Sequence, residues 1–304
     1  MYGSEYHEPV LAQTCVEHLV IDKAGTYVDA TFGGGGHTRL ILDTLSDAGN
    51  LIAFDQDPDA ARNLPEDDRL TFVPHNFRHI RRFVRLHGHR AGSLDGIFAD
   101  LGVSSHQFDA AERGFSFRFD AELDMRMNQA GDRTAADVLN HYSPEDLQSV
   151  FSQYGEVRNS KTLAHAITDH REVEPLRTIG QFLALLDGGL VRGQRNRYLA
   201  QVFQALRIEV NDEMGALKDL LNAALELLKP GGRLVILSYH SLEDRLAKNY
   251  MKTGNVDGQL IQDDYGKIDR PWKLVTRKPI VPDQQEIDEN PRARSARLRV
   301  AEKK

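Results

Sequence analysis

Apolar positions change their spacing several times along the chain, and each change marks an element. In PVLAQTCVEHLVI (residues 9–21) they recur at close to 3.6 residues and predict a helix. GTYVDATF (25–32), LIAFD (51–55), RLTFVPH (69–75) and LDGIFADLG (94–102) are short apolar runs that predict strands. Between them, HTRLILDTLSDAG (37–49), DPDAARNL (57–64) and FRHIRRFVRLH (77–87) predict helices. Gly49 stops the first, and Pro58 suits the first turn of the second. In the third, Phe77, Ile80, Phe83 and Val84 share one face, so its arginines face outward. Strands alternating with helices at this rhythm predict a parallel, doubly wound sheet.

From about Asp109 to Arg207 the patterns are mainly helical. Ser143-Pro144-Glu145-Asp146 is a start signal, with a Ser N-cap, Pro at the first helical position and an acid at the third. That helix runs EDLQSVFSQY and ends at Gly155; TLAHAITDH (162–170) and IGQFLALL (179–186) continue the theme. The α/β rhythm resumes with a helix whose stripe is Leu217, Leu221, Ala224 and Leu228. Pro230-Gly231-Gly232 is expected to break it before the strand RLVILSY (233–239), with late strands in WKLVTRKPIV (272–281) and ARLRVAE (296–302). The stretch 253–270 is polar and reads as a loop. The expected organisation is one α/β domain, residues 1–108 and 209–304, split by an inserted helical domain, 109–208.

The 304 residues carry a net charge of −7 and one cysteine, Cys15. An intrachain disulfide and a cysteine zinc cluster are thereby excluded, and a reducing cytoplasm suits the chain. No run is long enough to span a membrane, and the first ten residues lack the basic and apolar regions of a signal peptide. The net charge argues against coating nucleic acid through bulk electrostatics. Basic residues nevertheless cluster in NFRHIRRFVRLHGHR (76–90), RGQRNR (192–197) and NPRARSARLR (290–299). Each cluster alone can be a solvated face; three in an acidic chain point toward a phosphate-bearing partner.

VDATFGGGGHT (28–38) sets four glycines after the first strand, where nucleotide ligands sit in doubly wound sheets. A P-loop needs Gly-Lys-Ser/Thr, and the sequence reads Gly36-His37-Thr38. The dinucleotide fingerprint fails too, because the third-glycine position is Thr38 or Arg39 in the two frames, which disfavours NAD. S-adenosylmethionine has no pyrophosphate and carries a carboxylate that suits a helix N-terminus. Asp55 ends the second strand, where an acid can accept hydrogen bonds from ribose hydroxyls. His37 is either a solvated first-turn residue or a donor to the methionine carboxylate.

ADLGVSSHQFD (99–109), ERGFSFR (112–118), LDMRM (123–127), QALRIEVNDE (204–213), SYHSLEDR (238–245) and NPRARSARLR, with the glycine loop, resemble the RsmH (MraW) family in the same order. These are bacterial 16S rRNA (cytosine-N4)-methyltransferases that use S-adenosylmethionine. The resemblance runs from His7 nearly to the C-terminus, and LKPGGRLVI (228–236) is similar to a segment of many class I methyltransferases. It implies a Rossmann-like class I methyltransferase fold with an inserted all-α domain that helps receive RNA. It implies a cofactor site of Gly35, Gly36, His37, Asp55 on the ribose, Phe77 near the adenine, Asp100 and Gln107, with S-adenosylhomocysteine as product. The implied substrate is a cytidine of the decoding centre, within the small ribosomal subunit or a late precursor. Three places depart from the family: Tyr239 where Phe is common, RNRYLAQV before Phe203, and a short loop from Gly254 to Asp269.

Cytosine N4 is a poor nucleophile because its lone pair is delocalised, so groups that accept its hydrogens help. Asp100, after the fourth strand, can accept from N4 or from the cofactor. Ser104 and Ser105 can meet the base, or simply shape a strand-to-helix turn. In SYHSLEDR, Ser238, His240 and Ser241 can line a base pocket braced by Glu243 and Arg245; equally, Ser241 can cap a helix with Asp244 at its third position. Asp100, Ser104 and His240 are the catalytic candidates. Ser238, Ser241, Arg245, Arg292 and Arg294 are the RNA candidates. No metal is expected, and a homodimer is compatible with the sequence. Other readings are a methyltransferase of protein or small molecules, a non-catalytic RNA-binding protein and a dehydrogenase.

Overall fold

The computed structural model describes residues 9–262, 266 and 268–304. His7 and Glu8 lie outside the described residues, as does part of the 254–269 loop; nothing is described of the Ser105 side chain. In chain order the elements are α1 (Ala12–Leu19), β1 (Thr26–Asp29), α2 (Gly36–Thr44), β2 (Asn50–Phe54), β3 (Leu70–Val73), α3 (Ile80–Leu86) and β4 (Leu94–Asp100). Then come α4 (Ser105–Asp109), α5 (Ala135–His141), α6 (Pro144–Gly155), α7 (Ser160–Arg171), α8 (Ile179–Asp187) and α9 (Arg195–Asn211). The last are α10 (Glu213–Leu227), β5 (Leu228–Ser238), α11 (Ser241–Thr253), β6 (Trp272–Leu274), α12 (Gln284–Glu289) and β7 (Arg297–Lys303). The chain divides into two compact units, Met1–Gly102 with Met214–Lys304, and Val103–Glu213.

The first unit holds a seven-stranded sheet in the order β3-β2-β1-β4-β5-β7-β6. β1 to β5 are mutually parallel, whereas β7 runs antiparallel to both β5 and β6. Six of the seven strands therefore run in one direction and β7 alone is reversed, which the expectation of a parallel sheet did not include. Side chains alternate across the sheet because the strand period is two. Val28, Ile97, Leu234 and Ile236 pack on one face with Ile80 and Val84 of α3 and Leu217, Leu220 and Leu221 of α10. Their neighbours Tyr27, Phe98, Val235 and Leu237 pack on the other with Val16 and Leu19 of α1 and Ile41 and Leu42 of α2. Both faces are covered, which is why these strands read as continuous apolar runs.

Several local expectations shift. DPDAARNL forms a 3-10 helix, Pro58–Asn63, capped by the Asp57 carboxylate. Pro230-Gly231-Gly232 lies inside β5, which begins at Leu228, with an irregular register opposite Leu94 and Gly96. The strand expected over 272–281 closes after Leu274.

The second unit is helical around its own core, which includes Val138, Phe151, Ile167, Phe182 and Phe203. α6 begins as its sequence directs. Ser143 accepts from the Asp146 amide at 3.1 Å, Pro144 stands first, and Gly155 ends the helix.

Candidate functional site

The glycine loop joins β1 to α2 at the carboxyl edge of the sheet. Gly33 and Gly35 have φ of 52° and 76°, a region costly for other residues. A Cβ on Gly35 would lie 2.9 Å from the Phe32 ring, and one on Gly36 would lie 2.5 Å from Pro9 Cγ. The loop is therefore closed to side chains from both sides. Beneath it, Asp29 is fully buried and accepts from the Thr38 hydroxyl at 2.7 Å, fixing the start of α2. The first amides of α2 have no intrahelical acceptor.

Asp55 follows β2 and grips the loop: its Oδ2 accepts from the Gly33 amide at 2.7 Å, and its Oδ1 from the Asp57 amide at 2.8 Å. Burial pushes its pKa up to about 6 against the pull of those two amides. Asp100 ends β4. The Thr31 hydroxyl accepts from its amide at 2.7 Å, and the Tyr239 side chain hydrogen-bonds its carboxyl. Burial pushes Asp100 up to about 7. Its buried Oδ1 has no hydrogen-bond partner among the described residues. A buried oxygen left open in this way asks for a donor.

His37 is buried rather than solvated, which overturns one of its two readings. Its Nε2 meets the Val10 carbonyl at 3.1 Å, its ring lies 4.7 Å from that of Phe98, and Nδ1 stands 3.6 Å from Asp100 Oδ2. Burial lowers its pKa to about 4, so the ring is neutral at pH 7 and donates through Nε2. The imidazole is thus committed to the lead-in of α1. Phe77 is half-buried against the core below Asn76, which binds Gln56 at 3.0 Å. Ser104 and Gln107 belong to the second unit. There they close a capping box over α4, each holding the other's amide at 3.1 Å.

SYHSLEDR turns from β5 into α11. The cap is His240, not Ser241: its Nδ1 accepts from the Glu243 amide at 3.5 Å, while Glu243 Oε2 accepts from the His240 amide at 3.4 Å. The capping box therefore sits one residue earlier than expected. Ser238 is buried, and its hydroxyl donates to the Arg297 carbonyl at 3.3 Å. Its hydroxyl is thus turned into the sheet, away from the surface on which an RNA contact was expected. Asp244 is held low by Arg299 at 2.6 Å and Arg297 at 3.1 Å, which outweigh its burial.

Ser241, Arg245, Arg292 and Arg294 are exposed. His240, Ser241 and Arg294 line one open groove of about 460 Å³, together with Tyr239, Val281 and Arg297. Arg245 and Arg292 are not part of it. The groove's apolar wall was illegible in the sequence, because Val281, Pro282 and Ile287 form no periodic pattern. The basic stretch at 76–90 also changes meaning: Arg78 pairs with Asp219, and Arg81 and Arg85 both pair with Glu226 on α10. In the second unit Arg195 pairs with Asp187.

The family model described as the MraW methylase family matches residues 4–304. Ribosomal RNA small subunit methyltransferase H of Bacteroides fragilis (strain YCH46) is 56% identical over 299 residues, 98% of each chain. The protein of the same name from Flavobacterium johnsoniae is 52% identical over 299 residues, again 98% of each chain. An rRNA methylase structure from Streptococcus thermophilus aligns over 96% of this chain and 93% of that one at 14% identity. Its TM-score of 0.38 is too low to argue from.

Proposed function

Since the chain belongs to the MraW methylase family, we propose that it transfers a methyl group from S-adenosylmethionine to the exocyclic N4 of a cytidine in the decoding centre of 16S rRNA. The observation that carries the reading is the grouping of a side-chain-free glycine loop, Asp55 and Asp100 at one sheet edge. It is joined by the near full-length identity to relatives named for small subunit rRNA.

The residues fit the cofactor. Gly33 and Gly35 take the positive-φ turn that leads the loop backbone into Gly36 at the start of α2, and the α2 amides suit the cofactor's carboxylate. Asp55 has lone pairs beyond those used by Gly33 and Asp57 for ribose hydroxyls. Phe77 suits the adenine, and the open Oδ1 of Asp100 suits an amino or N–H donor. His37 contributes its backbone amide, since its ring is spent on Val10. The cofactor supplies an activated methyl on a sulfonium. What the protein adds is alignment and exclusion of water, worth up to about 7–11 kcal/mol for orientation alone. An Asp100 carboxyl that titrates near neutrality can accept a hydrogen bond from the cofactor or from N4. The target base must be splayed out of the RNA fold to be reached. The second unit is assigned to receiving RNA, and the reaction is placed in the cytoplasm. Among the described residues no helix is long and apolar enough to cross a membrane.

The test is nucleoside mass spectrometry of 16S rRNA from a strain lacking the gene, with and without the gene restored. N4-methylated cytidine should vanish and return. Its persistence in the deletion strain would sink the proposed substrate.

A further inference from the structure

The groove beside α11 is not needed to hold the cofactor, yet it is built of two chemically different walls. One is apolar: Val281, 58% exposed, with Pro282 and Ile287. The other is cationic. Arg294 makes no ion pair among the described residues. Arg297 shares the single carboxylate of Asp244 with the buried Arg299, so two guanidinium groups face one acid and a positive charge is left over. No acid lines the groove among the described residues. In a chain of net charge −7, that local excess is opposite in sign to the whole.

The walls are fixed before any ligand arrives. Asp283 caps α12 through the Glu286 amide at 2.9 Å, and Glu286 Oε1 accepts from the Leu11 amide at 2.6 Å. Asn290 caps the 3-10 turn that carries Arg294, through the Arg292 amide at 3.2 Å. A volume of about 460 Å³ falls within the roughly 300–1,000 Å³ typical of small-ligand pockets. An apolar platform beside a cation carried on a capped turn is the chemistry that takes a base and its phosphate together. A paired duplex offers phosphates but no free base face for Val281 and Ile287.

We infer that this groove holds one unpaired nucleotide of the RNA substrate, flanking the methylated residue, with its base against Val281 and Ile287 and its phosphate on Arg294. The inference rests on the reading that the substrate is RNA. It adds Val281, Ile287 and Arg297 to the contact surface and removes Arg245 and Arg292 from this subsite.

The experiment uses the full chain, a short fluorescein-labelled single-stranded cytidine–uridine oligonucleotide, and the same strand paired with its complement. Binding is followed by anisotropy over a salt series. The single strand should bind more tightly than the duplex. Arg294→Ala should weaken it about tenfold and reduce the slope of log affinity against log salt by about 0.7. Val281→Ser should weaken it about fivefold and leave that slope unchanged, because no phosphate contact is lost. Both variants should keep wild-type affinity for S-adenosylhomocysteine. Failure of the wild type to bind, equal affinity of either variant and the wild type, or a preference for duplex overturns the proposal. So does a loss seen only with whole small subunits, which would mark the groove as a protein-docking site. If the groove behaves as expected but the enzyme leaves cytidine N4 unmethylated, the functional reading fails instead.

Discussion

Asp55 serves two masters, and replacing it by Asn separates them. Its carboxylate accepts the Gly33 and Asp57 amides, and in the functional reading it also accepts the ribose. Its pKa rises from 3.8 to about 6 on folding, which corresponds to about 3 kcal/mol against the ionised form. The sign follows from the direction. A raised carboxyl pKa favours the protonated folded state, so that stability is fully present below pH 3.8 and is lost as pH rises through about 6. At neutral pH the apo-protein therefore carries an ionised group that weakens it. Asp55→Asn removes that penalty, but its NH2 must then face one of the two amide donors, at about 1–3 kcal/mol. The two effects nearly cancel, and thermal stability should change little at pH 7. Cofactor affinity should not be spared. Each charge-assisted hydrogen bond to the ribose is worth about 1.5–3 kcal/mol, so affinity should fall at least about tenfold. Calorimetry with S-adenosylhomocysteine should show wild-type affinity declining as pH drops below about 6, where the carboxylate is lost, and a flat profile for the variant. Wild-type affinity in the variant, or a pH profile the substitution leaves in place, would refute both the ribose role and the assigned ionisation.

Three further substitutions probe the surrounding frame. Gly36→Ala places a methyl 2.5 Å from the Pro9 ring and should cost about 1–3 kcal/mol, read as a lowered Tm. Arg299→Ala leaves the buried Asp244 carboxylate with only the half-exposed Arg297. It should cost about 3–5 kcal/mol in denaturant unfolding, and a loss below 1 kcal/mol would contradict the pairing. Tyr239→Phe removes the hydrogen bond that holds the Asp100 pKa down, so its carboxyl midpoint, about 7 in the wild type, should move upward in an NMR titration; an unmoved or lowered midpoint tells against that contact.

What could be read from the sequence was what neighbours in the chain decide. Strands β1 to β4 show as apolar runs because both faces of the sheet are covered. The glycine loop and Asp55 could be linked because one strand and one helix separate them, a spacing set by the fold's repeat. Strand direction was not legible. ARLRVAE carries the same alternation whether it runs with β5 or against it, and only the chain's return path makes β7 antiparallel. The α11 cap was misplaced by one residue because Ser is the usual acceptor there. A histidine ring can do the same work when its Nδ1 turns inward, and nothing local announces that tautomer. His37 was misread on one side for a similar reason: its acceptor is a carbonyl 27 residues back, in a segment whose pattern says only that a helix follows.

Charge was the least legible property, and the groove turns on it. Counting arginines gave three clusters that looked alike. In the fold, Arg78 pairs with Asp219 while Arg81 and Arg85 share Glu226, acids of α10 more than 130 positions away, and exposed pairs of this kind contribute only about 0–1 kcal/mol each. Arg297 and Arg299 compete for one carboxylate, and Arg294 makes no ion pair among the described residues. A cation that the protein leaves unmatched, beside an exposed valine, carries information that the number of basic residues does not. What sets the third cluster apart is the apolar wall beside its cation, and that pairing is where an unpaired nucleotide has a reason to bind.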